Sequence, residues 1–477
     1  MNTKKIIPIA LLVLATNVLT YFTAVTITGM EEAEPSREQE AEIIAPEIDI
    51  NEEIQVFQEI IGILEAEHME EVNREKLLEG GFQGILDSLD DKQANYLSPE
   101  DYQNLRVETE GTYGGVGIEV SMEDDYVTVI SPISGTPAEE AGLSSNDRIL
   151  SVDGENLVGE DLNKAVSLMR GTPGEEVVVE VERPGVEEPL EFEITREQIE
   201  LETVKYEMLD QNLGYIELSN FADTSAEEFE EAITELEQEG MEGLVIDLRN
   251  NPGGILNAAV DIAGLLMPEG PITHVIGQDE KIKTYESQPG GLDIPMGVLV
   301  NEASSSASEV LAGALQDSNT ATIIGTNTFG KASVQNVRNL SNGGALQYTV
   351  AHYQTPDERT IHEEGLTPDI EVDPPEAAEL AMMPISTDLS EGDEGEEVET
   401  LQKVLGEFGY YREEITGNFD SATLNALEEF QENLGITVTG EMSDMTVRRM
   451  HEEIEELIAK DDRKLERAIE ILKEELE

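Results

Sequence analysis

Between residues 199 and 376 short apolar runs alternate with stripes of helical spacing. The runs 213–218, 244–248, 298–300 and 321–324 read as buried strands, and the stripes 225–238, 256–266 and 308–315 as the helices between them. This alternation implies a layered α/β core, closed by a further strand over 345–353 and an acidic return through Asp369. Residues 111–196 carry a shorter rhythm and read as a small β-rich domain. A glycine turn, Gly114-Gly115-Val116-Gly117, feeds an alternating strand at 118–120; a strand at 126–130, a short helix at 137–141, a strand and turn at 147–154 and a helix at 161–169 follow. Two amphipathic helices precede this domain, one carrying Ile54, Phe57, Ile60, Ile61 and Leu64 and the other spanning 77–89, suited to covering the protein or joining it into a homodimer.

Residues 398–450 form a compact helical unit. Leu401-Gln402 and Phe430-Gln431 pairs, with the turns Gly417-x-Phe419 and Gly440-x-Met442 each followed by a threonine, make a weak internal repeat. A last charged helix carries the stripe Ile454, Leu457, Ile458, Leu465, Ile469, Leu472, suited to packing on a neighbour. At the other end, Met1 to Lys5 holds two lysines and residues 6–27 are predominantly apolar without a charge. That length spans a bilayer, and lysines on its N-terminal side place the rest outside the cytoplasm. A signal anchor is preferred over a cleaved signal peptide because no convincing small-x-small site follows; cleavage would make the protein secreted. The expected segments are a 1–29 anchor, a 30–50 acidic linker, a 51–106 helical region, a 107–197 β-rich domain, a 198–376 core, a 377–397 linker, a 398–451 helical domain and a 452–477 acidic helix.

Charge narrows the partners. A formal net charge of −76 repels phosphate over the whole surface, so nucleic acid is excluded. With 39% hydrophobic residues in clear periodicity the acidity belongs to folded segments, and it reads as adaptation to a saline medium. The chain has no cysteine, hence no disulfide or thiol nucleophile, and no His-Glu-x-x-His or comparable ligand cluster, so neither metal nor cofactor is expected.

The candidate chemistry lies between Asn301 and Gln335. Ser306 falls where the strand at 298–300 turns into the helix at 308–315, a position that exposes its hydroxyl beside free helix N–H groups. Lys331 follows 25 residues later, enough chain for helix, strand and return. Read alone, Ser306 with Glu309 is an S-x-x-E capping box and Lys331 a solvated surface lysine. Together they are a nucleophile and a base, since none of the five histidines lies inside either motif. A lysine serves as base only when neutral, which requires burial; Phe329, Ala332 and Val334 are the expected apolar surroundings. Residues 250–254, Asn-Asn-Pro-Gly-Gly, follow the strand at 244–248, and Gly253 and Gly254 let backbone N–H groups approach a carbonyl closely, although a lone Pro-Gly-Gly is usually only a turn.

The run Ser304-Ser305-Ser306-Ala307-Ser308-Glu309, Phe329-Gly330-Lys331, Gln335, the upstream Asp247-Leu248-Arg249-Asn250-Asn251-Pro252-Gly253-Gly254 and the downstream Gly365-Leu366-Thr367-Pro368-Asp369 resemble the signature of the carboxyl-terminal processing peptidases. The resemblance implies a crotonase-like core and a Ser-Lys dyad of Ser306 and Lys331, with Gln335 accepting a hydrogen bond from the amine. It implies an oxyanion hole at Gly253, Gly254 and the N–H of Ala307. Residues 111–196 resemble a PDZ domain, helped by Ala141-Gly142-Leu143 and Asp147-Arg148-Ile149; Gly114, Gly115, Val116 and Gly117 match its carboxylate loop and Ile118 the edge on which a peptide adds. Arg170 suits either coupling between this domain and the core or a helix-dipole contact. Residues 398–450 resemble a peptidoglycan-binding domain, with Tyr410, Tyr411 and Phe419 suited to either a core or a sugar platform. Leu89-Asp90-Asp91-Lys92-Gln93-Ala94-Asn95-Tyr96-Leu97 departs from the family's Leu-Asp-Pro-His-Ser-like turn.

Two functions compete: a membrane-anchored serine endopeptidase that catches free protein C-termini near the cell wall, and a non-catalytic scaffold binding the same partners. The intact serine and lysine motifs favour the enzyme. So many carboxylates repel one another when unscreened that folding and turnover are expected to rise with ionic strength. Equal stability and cleavage at low and high salt would count against the saline reading.

Overall fold

The computed structural model describes residues 51–477 apart from 124, 279 and 382. The expected signal anchor and acidic linker lie outside them; among the described residues no helix is long and apolar enough to cross a membrane. The described residues divide into two units, 51–80 and 81–477. In the first, the helix Asn51–Glu67 has no buried residue and leaves Ile54, Phe57 and Ile60 exposed.

The second unit is built on a six-stranded sheet in the order Val204–Leu209, Leu213–Leu218, Gly243–Asp247, Met296–Val300, Thr322–Gly325, Ile370–Glu371. Every pairing is parallel except the first. Strand periodicity of two sends alternate residues to opposite faces. Leu244, Ile246, Val298, Val300 and Ile323 meet the helices Ser225–Glu239, Leu256–Leu266 and Ala307–Asp317 on one side. Leu213, Val245, Leu299 and Ile324 meet Ala468, Ile471 and Leu472 of the helix Arg463–Leu476 on the other. The C-terminal stripe thus packs within its own chain, Leu465, Ile469 and Leu472 on this sheet and Ile454 and Ile458 in the helical unit before it. The charged end expected as one helix is two, Asp444–Lys460 and Arg463–Leu476, separated by Asp461 and Asp462. Covering both faces explains why the middle strands read as unbroken apolar runs.

An antiparallel sheet that the periodicity did not reveal adds Gly270–Ile276, Lys281–Ser287, Ser333–Asn339 and the short Asn95–Leu97 around Ala345–Gln354. The β-rich domain is the sheet Ile118–Glu123, Tyr126–Pro132, Arg148–Val152, Glu176–Glu182, Leu190–Thr195, with Pro137–Ala141 and Leu162–Met169 against it and a valine-rich core of its own. A two-stranded ribbon, Thr112–Gly115 with Glu197–Glu200, holds its two ends together.

The helices Glu396–Glu407, Ser421–Asn433 and Asp444–Lys460 share a third core. Their internal repeat now has a cause. Buried Gln402 accepts from the Thr416 and Gly417 N–H groups and donates to Asn418 O and Thr423 Oγ1. Buried Gln431 accepts from the Thr439 and Gly440 N–H groups and donates to Glu441 O and Thr446 Oγ1. Each amide therefore pins one glycine turn to a helix. Tyr411 and Phe419 are buried and belong to the core, while Tyr410 packs edge-on against Phe430. Gln402→Leu or Gln431→Leu strands one buried N–H donor, that of Gly417 or Gly440, and removes the partner of a part-buried one, and is expected to cost about 1–3 kcal/mol, read as a lowered urea midpoint for this unit. An unchanged midpoint would show that the turns hold without the amide.

Candidate active site

Ser306 has φ 57° and ψ −115°, a conformation that costs a non-glycine residue about 1–3 kcal/mol. Its neighbours hold it there. Ser304 Oγ donates to Leu248 O (2.7 Å), Ser305 Oγ to Pro252 O (2.7 Å) and Ser308 Oγ to Asn251 O (3.0 Å), while the Ser305 N–H donates to Asn251 O (3.1 Å). The serine run is thus a row of small donors that satisfies the backbone of the facing loop 248–252. Asn251, fully buried, donates to Leu218 O and accepts from the Gly253 N–H.

Glu309 joins this elbow to the lysine segment. Its carboxylate is fully buried. Oε2 accepts from the N–H groups of Ser306 (3.0 Å) and Lys331 (2.8 Å), and Oε1 from the Gly330 N–H (2.8 Å) and Thr328 Oγ1 (2.5 Å). Sequence pattern gave only the capping half of this role. A second unforeseen residue is Tyr353, whose hydroxyl donates to the Lys331 carbonyl oxygen. Burial, little offset by Ser306 and reinforced by Glu309, pushes this phenol far up, so it remains a donor.

The Lys331 side chain is half-buried, and desolvation lowers its amine below the ordinary lysine range. Ala332 is buried beneath it as expected, but Phe329 is 61% exposed and gives it little cover. Among the described residues the amine forms no hydrogen bond or ion pair. The bond expected from Lys331 to Gln335 is not formed: Gln335 Oε1 accepts from Gln347 Nε2 (3.1 Å) and its Nε2 donates to Gln93 O (2.9 Å). The loop carrying Gln93 draws the amide away, and Asp91 secures that loop by accepting from the Thr349 N–H and Oγ1.

Of the three expected oxyanion donors, the Gly253 N–H is committed to Asn251 Oδ1 (2.8 Å). The Gly254 and Ala307 N–H groups have no partner among the described residues. Gly253 matters instead as space: with φ 106°, a Cβ there would lie 2.7 Å from Ser306 Cβ and 2.9 Å from the Ala307 nitrogen.

In the β-rich domain a cavity of about 350 Å³ runs along Gly115, Val116, Gly117 and Ile118, opposite Val166 and Met169. The Val116 and Gly117 carbonyl groups are tied to Ala138, Ile133 and Thr136, while their N–H groups have no partner among the described residues. Arg170 borders this groove. Its Nη1 donates to Asn104 Oδ1 (2.7 Å), its guanidinium lies 5.1 Å from the Tyr113 ring centre, and its Nε is buried without a partner. Arg170 therefore reaches the helix Pro99–Glu110, beyond the limits of its own domain.

The carboxylate clamp has a direct consequence. Glu309→Gln turns an amide donor towards a set of four donors and is expected to cost about 3 kcal/mol or more, lowering the thermal midpoint while conservative changes on the exposed face of Ser225–Glu239 do not. An unchanged midpoint would mean that the carboxylate does not hold the two segments together.

Three family models match the chain: Peptidase family S41 over residues 212–372, a PDZ domain over 114–194 and a peptidoglycan binding domain over 394–450. The carboxy-terminal processing protease CtpA of Bacillus subtilis (strain 168) is 32% identical over 417 residues, which is 87% of this chain and 89% of that protein. CtpB of the same organism is 32% identical over 398 residues, 82% of this chain and 83% of that protein. A CtpA-like serine protease of Staphylococcus aureus (strain MRSA252) is 32% identical over 421 residues, 87% of this chain and 84% of that protein. Among solved structures, the photosystem II D1 C-terminal processing protease is 30% identical, with a TM-score of 0.40 over 67% of this chain and 93% of that one. Identity at this level over nearly the whole length settles descent: the chain belongs to the carboxy-terminal processing proteases of peptidase family S41, serine-type peptidases, and joins a PDZ domain and a peptidoglycan-binding domain to its protease core.

Proposed function

We propose that this protein is an envelope-anchored endopeptidase that holds the free C-terminus of a substrate protein in its PDZ groove and cuts within the tail through an acyl-enzyme on Ser306. The observation that carries this reading is the Glu309 carboxylate, which binds the backbone of the expected nucleophile and of the expected base at once. A desolvated lysine joined through Glu309 to a strained, half-buried serine has no evident structural purpose, and such perturbed groups mark reacting sites.

In the proposed sequence Ser306 Oγ attacks the scissile carbonyl carbon and its proton passes to the neutral Lys331 amine. The oxyanion meets the Gly254 and Ala307 N–H groups at the positive end of the helix Ala307–Asp317. Collapse returns the proton from Lys331 to the departing amine, and a water deprotonated by the same lysine then releases the acyl group. For Gln335 to orient the amine, its bonds to Gln93 and Gln347 must open, so alignment of the base includes movement of residues 91–95. The unpartnered Val116 and Gly117 N–H groups suit a terminal carboxylate, and Ile118 the added peptide strand.

The lysines and apolar stretch of residues 4–27 support anchoring in the membrane with the catalytic part outside, and the peptidoglycan-binding unit supports residence near the wall. The exposed stripe of Asn51–Glu67 supports a homodimer.

The test is cleavage of an unfolded protein with a free apolar C-terminus. Ser306→Ala and Lys331→Ala are expected to stay folded and to lose at least about 10⁴-fold in rate, and amidating the substrate terminus to weaken binding. A Lys331→Ala enzyme that cuts at the wild-type rate would remove the lysine from the mechanism. Because the neutral amine is the working form, the rate rises with pH as Lys331 loses its proton, and desolvation puts that rise below the ordinary lysine value of 10.5. A rate independent of pH through the alkaline range, or falling there, would contradict a lysine base.

A further inference from the structure

We propose that Asp462, at the start of the last helix and far from the active site in sequence, is a positioning residue for the catalytic loop 250–254; the inference rests on the Ser306–Lys331 reading above. Arg249 immediately precedes that loop, and its guanidinium is gripped from two sides. Nε donates to both oxygens of Asp247 (2.9 Å each), while Nη1 donates to Asp462 Oδ1 (2.7 Å) and Nη2 to Asp462 Oδ2 (2.9 Å). Both pairs are two-pronged, the geometry in which arginine and carboxylate fix each other's orientation as well as their distance. The side chains of Arg249, Asp247 and Asp462 are 20%, 5% and 21% exposed, so solvent screens the network poorly. Tyr215 completes it by donating to Asp247 Oδ2 (2.7 Å).

Asp247 is the last residue of a fully buried strand and cannot yield. Asp462 is fixed from the other direction. Its Oδ1 also caps the helix Arg463–Leu476 through the Leu465 N–H, and that helix is locked to the sheet by Ala468 and Leu472, both completely buried. Two residues on, buried Lys464 places its amine 3.5 Å from Val300 O and from Thr326 Oγ1. Val300 ends the strand that leads to Ser306, and Thr326 follows the strand that leads to Lys331. One short turn, 461–464, therefore touches all three strand ends from which the proposed oxyanion loop, nucleophile and base emerge. The route from Asp462 to the chemistry is short: Arg249 fixes the backbone at Asn250, whose N–H binds Asn301 Oδ1, and Gly254 lies four residues further on. The same turn is where the last helix of the peptidoglycan-binding unit, Asp444–Lys460, hands over to the core.

The discriminating variant is Asp462→Asn in the full chain, because asparagine still caps a helix but loses the charge and the two-pronged pairing. Steady-state kinetics on a fluorogenic peptide with a free apolar C-terminus are compared for wild type, Asp462→Asn, Asp462→Glu, Ser306→Ala and the exposed charge control Glu470→Gln. Displacing the loop by a fraction of an ångström is expected to lower kcat about 10- to 100-fold and to leave KM within about twofold, since ground-state binding does not use that loop. Asp462→Glu regains part of the loss and Glu470→Gln shows none. Wild-type kcat in Asp462→Asn would overturn the inference, as would an equal loss in Glu470→Gln or a loss that vanishes when rates are normalised to folded protein. A Ser306→Ala enzyme that still cuts would sink the underlying dyad, whereas an inert Ser306→Ala beside a fully active Asp462→Asn would sink this inference alone.

Discussion

A single carboxylate buried among backbone donors sets the terms for the catalytic region. Glu309 has no cation beside it, and its charge is met by three N–H groups and one hydroxyl drawn from two separate segments. Hydrogen bonds to a charged group contribute about 1.5–3 kcal/mol each, while burying the charge costs several kcal/mol and the strained Ser306 backbone about 1–3 kcal/mol more. Gain and cost are of the same order. The arrangement therefore contributes geometry more than stability: it allows Ser306 to remain at φ 57° only while residues 328–331 lie against it.

That geometry is available because of the sheet beneath. The strands Gly243–Asp247, Met296–Val300 and Thr322–Gly325 are parallel neighbours, so their carboxyl ends fall on one edge. From that edge leave the loop 250–254, the turn to Ser306 and the segment to Lys331. Open parallel sheets gather reactive groups at this edge as a rule. Here the edge is supported from both faces: the helix Ala307–Asp317 packs on one side of the sheet, and the C-terminal helix on the other. A helix that follows the wall-binding unit in sequence is thus part of the protease core.

Much of this was legible from residues alone. Apolar runs of three to six residues marked the buried strands, and the strand-to-helix position of Ser306 followed from the change of period. What escaped depends on choices among long-range partners. Gln335 had several acceptors and donors within reach, and nothing local reveals that Gln93 and Gln347 engage it before Lys331 does. The C-terminal stripe announced an apolar face, yet amphipathicity does not identify the surface that receives it, and the expected neighbour proved to be the chain's own sheet. Tyr353 lies in a strand whose alternation predicts an inward side chain, but only the antiparallel pairing with 333–339 brings its hydroxyl to Lys331. The Gly253 N–H was misread for a different reason: a glycine-rich loop signals close approach, and close approach here serves the Cα rather than the N–H.

The distribution of charge poses a stricter problem. With 104 acidic residues in the chain, a lysine amine placed at random would have carboxylates near it, and each would favour its protonated, non-basic form. At Lys331 desolvation is what moves the amine. The carboxylate that holds the Lys331 backbone, Glu309, spends its oxygens on backbone N–H groups and a threonine hydroxyl rather than on the amine. More distant acids act through solvent, where screening confines them to roughly 8–10 Å at moderate ionic strength. A saline medium would therefore help this chain twice: it relieves repulsion among surface carboxylates and shortens the reach of the field that favours the charged form of Lys331. An acidic surface and a lysine amine lowered below its ordinary range are compatible in one protein because the first is screened by salt and the second is set by burial.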